Sequence, residues 1–503
     1  MNRLAKIVAT VGPASSDEST LARLLDTGVD VVRLNLSHGN QESHRQVIRT
    51  VRRLAREQGR FVPVFADLMG PRFRLGQIAD GPRILEAGQE VRLGADGPGI
   101  ELPVEDPGFL DHLRPGERVL IDNGLVELEV LAEDAGHRLA RVLHGGPVST
   151  RKGINLPDTD LPFTISEKDR ADIAFALREG ADYVAVSFVG GPGDLKAVRA
   201  VMREHDGMLP LIAKLERAKA LERLDAIVRA SDAVMVARGD LGVEVPLHQV
   251  PVLQKKIIAA GARYGKPVIV ATQMLESMME QPRPTRAEVS DCANAVFDGA
   301  DALMLSGETA AGKFPVEAVR TMAEAIVEAE GYEASRTSAN PGAAESTPAP
   351  QPDDSALGTQ HLAPGQLERQ DLHPERDRHL EIPDVVSAAA VEAANLLQAK
   401  QIVAFSQGGF TARMLSRYRP KTPITVFTRS QAVARKVQLV WGTRPLLMDH
   451  DVDHHDEVVS VVDHLLLENG LAQPGDVVII LMGDPIAERP LTNLMRVHRL
   501  SPG

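Results

Sequence analysis

The sequence predicts an α/β protein: a (β/α)8 barrel interrupted by a small inserted β domain, then a C-terminal α/β domain. Three observations predict this. Eight short apolar runs recur, most of them followed by helix-patterned segments, the signature of a buried parallel sheet covered by helices. Between the third and fourth runs the pattern switches to short alternating stretches with Gly and Pro turns. After Glu330 the composition breaks, and strand-like runs return only later. A chain of 503 residues is in any case too long for one ordinary core.

The runs are "KIVATVG" (6–12), "VDVVRLN" (29–35), "FVPVFADL" (61–68), "ADYVAVSF" (181–188), "LPLIAKLE" (209–216), "AVMVARGD" (233–240), "KPVIVATQ" (266–273) and "ADALMLSGE" (300–308). Eight units over this length point to a closed TIM barrel; an open doubly wound sheet, whose strands look alike locally, is the alternative. The barrel is expected over 1–75 and 159–332. The insertion, 76–158, contains "GQEVRLG" and "RPGERVLIDNGLVELEVL", and Asp122-Asn123-Gly124 signals a hairpin. Placed after the C-terminal end of a strand, this small β domain would sit over the active face as a lid. Residues 333–383 are rich in Pro, Ala, Ser and Gly and read as a flexible linker. Runs at 401–406, 423–428, 444–448 and 477–482 then imply a smaller C-terminal α/β domain over 384–503.

Hydrophobic residues make up 43% and charged residues 25%, a globular balance. The formal net charge of -13 disfavours nucleic-acid binding, which needs a basic face. One cysteine, Cys292, excludes an internal disulfide framework and a zinc-binding set. The basic N-terminus lacks a signal-peptide apolar region, and no run approaches membrane-span length. A cytoplasmic protein without nucleic-acid or membrane partners is expected.

Catalytic groups of a barrel come from the C-terminal ends of its strands. Those ends carry Arg33, Asn35, Ser37, His38, Asp67, Lys214, Glu216, Arg238, Gly239, Asp240, Thr272, Ser306 and Glu308. Lys214 and Glu216 are two apart on one strand, so they face the same way. Glu216 and Asp240 end neighbouring strands. Unpaired carboxylates about 4 Å apart repel by roughly 4 kcal/mol at an effective dielectric near 20. A shared divalent cation removes that repulsion, and hard oxygen ligands favour Mg²⁺ or Mn²⁺. Either acid alone is better read as a structural ion pair with Lys214 or Arg238; the pair beside a lysine favours the metal. Lys214 and Arg33 offer fixed cations suited to phosphoryl transfer, although a rim salt bridge is the ordinary fate of such an arginine. The Gly239 and Gly242 amides in "ARGDLGVE" could hold an anion at a helix start. Thr272 could hold a proton donor, or simply bond backbone. Ser306 and Glu308 could complete a proton relay or support it from behind.

The motifs "KIVATVGPAS", "VVRLNLSHG", "KGINLP", "AKLE", "VMVARGDLGVE", "KPVIVATQMLESM" and "PTRAEVSDCANAVFDGADALMLSGETAAGKFPVEAV" resemble, in order, those of the pyruvate kinase family. The resemblance covers nearly the whole barrel. It implies that the inserted lid is a small β-barrel and that the C-terminal domain is regulatory. It implies transfer of the phosphoryl group of phosphoenolpyruvate to ADP, giving pyruvate and ATP in glycolysis. It implies Mg²⁺ on Glu216 and Asp240, Lys214 at the moving phosphoryl group and Arg33 on phosphate. Gly239, Asp240 and Thr272 would cradle the substrate carboxylate, with Thr272 near the carbon that gains a proton. Ser306 and Glu308 would belong to the proton network. Asn35, His38, Arg74 and, from the lid, Lys152 would lie on the nucleotide side. A homotetramer is the family's usual assembly. Two alternatives stand beside this: a Mg²⁺-dependent lyase acting next to a pyruvate enolate, and a catalytically silent binding protein on the same fold.

The sequence departs from the family at "ADLMGPRFRLG", where Leu68, Met69, Arg72 and Leu75 replace commoner residues. The monovalent-cation site keeps Asn35, Ser37 and Asp67 but has Leu68 in place of an oxygen ligand. Arg72 supplies a permanent positive charge nearby, so K⁺ independence is expected. "FSQGGFTARMLSRYRP" resembles the family's effector loop; Ser406, Gln407, Gly408, Gly409 and Thr411 would hold a phosphorylated effector. Further on, Glu488, Arg489 and Pro490 stand where glycines are frequent. His450, His454 and His455 cluster with acids, and a solvated loop is favoured over a metal site there. Trp441 reads as packing, with a neighbouring subunit as a candidate partner.

Overall fold

A computed structural model of the chain describes residues 3–78, 81–134, 136–338, 381–449, 455–483 and 491–501. Eight parallel strands close into a barrel: β1 (Lys6–Val11), β2 (Val31–Asn35), β3 (Val64–Asp67), β4 (Tyr183–Val186), β5 (Leu211–Leu215), β6 (Ala233–Ala237), β7 (Val268–Ala271) and β8 (Ala302–Leu305). β1 pairs with both β2 and β8, so no edge remains. Strand alternation divides the core. Ile7 and Ala9 pack outward among the helices, while Val8, Phe65, Ile212 and Met304 fill the barrel interior. The surrounding helices follow the same logic. Gln41–Glu57 starts with an Asn40–Ser43 capping box and buries Val47, Ile48, Val51, Leu54 and Ala55 on one stripe.

An aspartate immediately precedes each even-numbered strand, and each one accepts the N–H at the start of the strand before it. The bonds are Asp30 with Ile7 (2.8 Å), Asp182 with Val64 (2.8 Å), Asp232 with Leu211 (2.9 Å) and Asp301 with Val268 (2.9 Å). Each aspartate also meets an arginine: Arg3, Arg52, Arg199 and Arg419 respectively. These links tie the N-terminal face of the barrel, the end remote from the chemistry.

The lid is a seven-stranded sheet plus a two-stranded one, with its own core around Leu93, Val119, Leu128 and Val142. Its first strand, Phe73–Arg74, pairs with Gly153–Asn155, so the lid sheet begins before position 76. The 122–124 hairpin joins Arg118–Ile121 to Val126–Asp134; Asp122 and Asn123 both adopt positive φ, 54° and 57°.

The last barrel helix, Pro315–Ser338, continues past position 332, and the next helix, Ile382–Leu396, starts before 384. Residues 339–380 of the expected linker lie outside the described residues, as do His450, His454, Glu488, Arg489 and Pro490, while nothing is described of the His455 side chain. The C-terminal sheet comprises β9 (Gln401–Phe405), β10 (Ile424–Thr428), β11 (Thr443–Leu447), β12 (Val477–Met482) and β13 (Leu494–Arg499), in the order β11-β10-β9-β12-β13. β13, antiparallel to β12, was not expected. The C-terminal domain docks under the barrel. Leu439 joins the barrel-interior cluster, and Trp441 packs into the barrel–helix core of its own chain with Arg419 over its ring.

Candidate active site

Lys214, on β5, occupies the centre of a charge cluster at the C-terminal ends of the strands. Its ammonium donates to Ser187 Oγ at 2.7 Å and lies 3.3 Å from Glu216 Oε2 and 3.5 Å from Asp67 Oδ1. Asp67, closing β3, accepts from Arg33 Nε at 2.7 Å, and Arg33 also donates to Thr10 Oγ1 at 3.0 Å. Burial works to raise Asp67, but Lys214 and Arg33 outweigh it and hold the carboxyl below its usual range. Burial likewise opposes the Lys214 charge, while Asp67 and Glu216 outweigh it, so Lys214 stays an ammonium.

Glu216 is fully buried, and its Oε1 accepts the Phe188 N–H at 2.6 Å. Burial, with Asp240 adding to it against Lys214, pushes Glu216 up to about 7. Glu216 Oε2 and Asp67 Oδ1 have no hydrogen-bond partner. At 3.3 and 3.5 Å, Lys214 forms ion pairs with these atoms rather than well-made hydrogen bonds. A buried carboxylate oxygen left so costs about 1–3 kcal/mol. Two orphaned hard oxygens beside Asp240 are the donor chemistry a magnesium-type cation takes. Among the described residues no group of three or more His, Cys, Asp or Glu side chains could hold a metal. A divalent ion here would therefore need substrate or water oxygens as well, as Mg²⁺ commonly does.

The helix Arg238–Glu244 follows β6 directly and carries Gly239 and half-buried Asp240. Thr272 follows β7. Its hydroxyl accepts the Gly239 N–H at 2.7 Å and donates to Ala271 O at 2.6 Å. Thr272 and Gln273 have φ of 67° and 54°, a left-handed conformation that costs about 1–3 kcal/mol per non-glycine residue and concentrates at functional sites. Arg238 does not pair with Glu216 or Asp240; it pairs with Asp291 at 2.6 Å.

Arg33, Asn35, Ser37, His38, Asp67, Leu68, Lys214, Asp240 and Thr272 all line one space of about 490 Å³, partly open to solvent. A second space of about 690 Å³ lies between barrel and lid, lined by Arg74, Asn123, Arg217 and Glu244. Arg72 and Asp240 border both. Glu216, Ser306 and Glu308 are not among the residues lining either space. Both Glu308 oxygens accept backbone N–H groups, of Ser306 at 2.7 Å and Leu275 at 3.1 Å, and Ser306 Oγ is buried without a partner. Lys152 pairs with Asp122 in the lid at 2.7 Å, and Arg74 donates to Arg151 O. Ser187, Thr10 and Asp291 were missed. Ser187 is the last polar residue of the fourth apolar run, so the strand-end rule that selected its neighbours would have found it.

In the C-terminal domain, Gly409 has φ 80° and caps the helix Phe410–Ser416. Thr411 Oγ1 lies 2.7 Å from the Thr492 hydroxyl, and both are buried. Ser406 donates its N–H to Phe427 O, while Gln407 and Gly408 are exposed.

Two family models match the chain: "Pyruvate kinase, barrel domain" over residues 2–319 and "Pyruvate kinase, alpha/beta domain" over 384–498. The chain is 41% identical to a pyruvate kinase of Mycobacterium tuberculosis over 504 residues, covering 99% of each chain. It is 40% identical to that of Corynebacterium glutamicum, covering 99% of this chain and 98% of the relative. With that of Geobacillus stearothermophilus it shares 39%, covering all of this chain and 81% of the relative. A solved pyruvate kinase from Cryptosporidium parvum superposes with a TM-score of 0.84 at 33% identity, over 99% of this chain and 96% of that one. With barrel, C-terminal domain and relatives in agreement, the chain belongs to the pyruvate kinase family, phosphotransferases that convert phosphoenolpyruvate and ADP to pyruvate and ATP.

Proposed function

We propose that the Lys214–Asp67–Arg33 cluster with Glu216 and Asp240 is where the phosphoryl group is transferred. The observation that carries this is the buried Lys214 ammonium, held between two carboxylates that each keep an orphaned oxygen. Glu216 and Asp240 would hold Mg²⁺ or Mn²⁺, which when bound neutralises charge on phosphoryl oxygens. Lys214 stabilises the charge of the phosphoryl group in transit, and Arg33, fixed by Asp67 and Thr10, binds its phosphate oxygens. Thr272, Gly239 and Asp240 orient the substrate carboxylate. A carboxylate at Gly239 has to take over the N–H now donated to Thr272. Thr272 stands near the carbon that gains a proton, with Ser306 and Glu308 behind it. Asn35, His38, Arg74 and Lys152 serve the nucleotide, under the inserted lid, which excludes water.

Lys214→Met should abolish turnover, by about 10³-fold or more, while leaving metal binding, read by Mn²⁺ titration, largely intact. Near-normal turnover removes the role assigned to Lys214. The enzyme is further proposed to be cytosolic and homotetrameric and to work without K⁺. It is also proposed to respond to a phosphorylated effector held by Ser406, Gln407, Gly408, Gly409 and Thr411. A panel of sugar phosphates and nucleotides should shift the half-saturating phosphoenolpyruvate concentration; a flat response removes the effector reading.

A further inference from the structure

The two left-handed residues after β7 contain no glycine, so something outside the turn must hold them. Arg238 does. Its guanidinium donates to Thr272 O through Nη2 at 2.7 Å and Nε at 3.2 Å, and to Gln273 O at 3.1 Å. The same group contacts Met274 Sδ at 2.7 Å and Gln254 Oε1 at 3.4 Å. Asp291, on the helix Arg286–Phe297, accepts from Nη1 at 2.6 Å and fixes the plane of the fork. One nearly buried cation therefore grips three successive residues from behind. Thr272 itself borders the catalytic space and receives the Gly239 N–H.

We infer that Arg238, oriented by Asp291, is a positioning residue that holds Thr272 in its working conformation. It lines neither of the two spaces; it acts through the Thr272 and Gln273 carbonyls. With those carbonyls drawn toward Arg238, the Thr272 side chain is left on the cavity side. Releasing them lets the turn relax toward negative φ, which carries the hydroxyl away from Gly239. A lysine cannot replace the group, since a point charge cannot serve two carbonyls and a carboxylate with planar geometry. The inference rests on the reading of Thr272 as a group at the reacting site.

A double-mutant cycle in the full-length enzyme tests it. Thr272→Ala and Arg238→Lys should each lower kcat by roughly 10- to 100-fold, the scale of a small misplacement at a reacting centre. The double variant should fall no more than about twofold below Thr272→Ala alone, because both changes remove one contribution. Losses that multiply overturn the inference, since a general loosening of the fold would act independently of Thr272. Should Arg238→Lys fail to fold, Asp291→Asn at a partly exposed position runs the same cycle. It should give a several-fold loss that disappears in the Thr272→Ala background, and a loss that persists there overturns the inference. Thr272→Ala with full turnover also overturns it. The phosphoryl-transfer reading falls separately, if Lys214→Met stays active.

Discussion

On the proposed K⁺-independent reading, Arg72 changes what the neighbouring oxygens can bind. It lines the same space as Asn35, Ser37, Asp67 and Leu68, with its guanidinium 5.7 Å from the centre of the Phe188 ring. Several of the oxygens a monovalent ion would need there are already engaged. Asp67 is neutralised by Arg33 and Lys214, Asn35 Oδ1 accepts the Ser37 N–H at 3.2 Å, and Leu68 O accepts the Ser187 hydroxyl at 2.8 Å. A fixed positive charge lining the same space repels a K⁺ ion, since two like charges about 6 Å apart repel by about 3 kcal/mol at an effective dielectric near 20. Turnover in KCl and in tetramethylammonium chloride at equal ionic strength should agree within about twofold; strong stimulation by K⁺ would sink this reading. The candidate residues brought together here were legible because they are polar groups at the ends of apolar runs. The Phe188 N–H on Glu216 was not, because a backbone donor leaves no mark in the sequence.

At the scale of elements, hydrophobic runs announced the eight barrel strands, and the aspartate before each even-numbered strand is visible in "VDVVRLN", "ADYVAVSF", "SDAVMVAR" and "ADALMLSG". What the aspartates do was not visible there, since each bond crosses to the strand before. β13 escaped because "LMRVHR" mixes apolar and charged residues and lies at a sheet edge, where several of its side chains stay exposed. The Thr272–Gln273 turn escaped because left-handed positions are normally sought at Gly, Asn or Asp. Its conformation is imposed by Arg238 and is absent from local propensity. The helix Pro315–Ser338 outran its expected end because "YEASRTS" contains no glycine or proline to stop it.

For the whole molecule, the C-terminal domain is tied to the barrel at two aspartates that start strands on opposite sides. Arg435 Nε meets Asp182 at 2.7 Å, and Arg419 meets both Asp301 oxygens at 3.0 and 2.9 Å. The two ties are unequal. Asp182 keeps a second partner, Arg52 at 2.5 Å, if Arg435 is removed. Arg419 is the arginine on Asp301; it also donates to Gly299 O and covers the Trp441 ring at 5.2 Å. Removing one partner of a buried pair costs about 3–5 kcal/mol, and an exposed pair is worth at most about 1 kcal/mol. Both pairs are nearer the buried case, Arg419 and Asp301 at 20% and 6% exposed and Arg435 and Asp182 at 22% and 2%, so the difference between them rests on the second arginine that Asp182 keeps. Arg419→Leu should therefore destabilise the docked C-terminal domain by about 2–4 kcal/mol, and Arg435→Leu by about 1 kcal/mol. Denaturant unfolding followed by the fluorescence of the single tryptophan, Trp441, reads this interface directly, because the ring packs into the barrel core. Equal losses for the two variants would mean that the Asp301 cluster is no stronger an anchor than the Asp182 one.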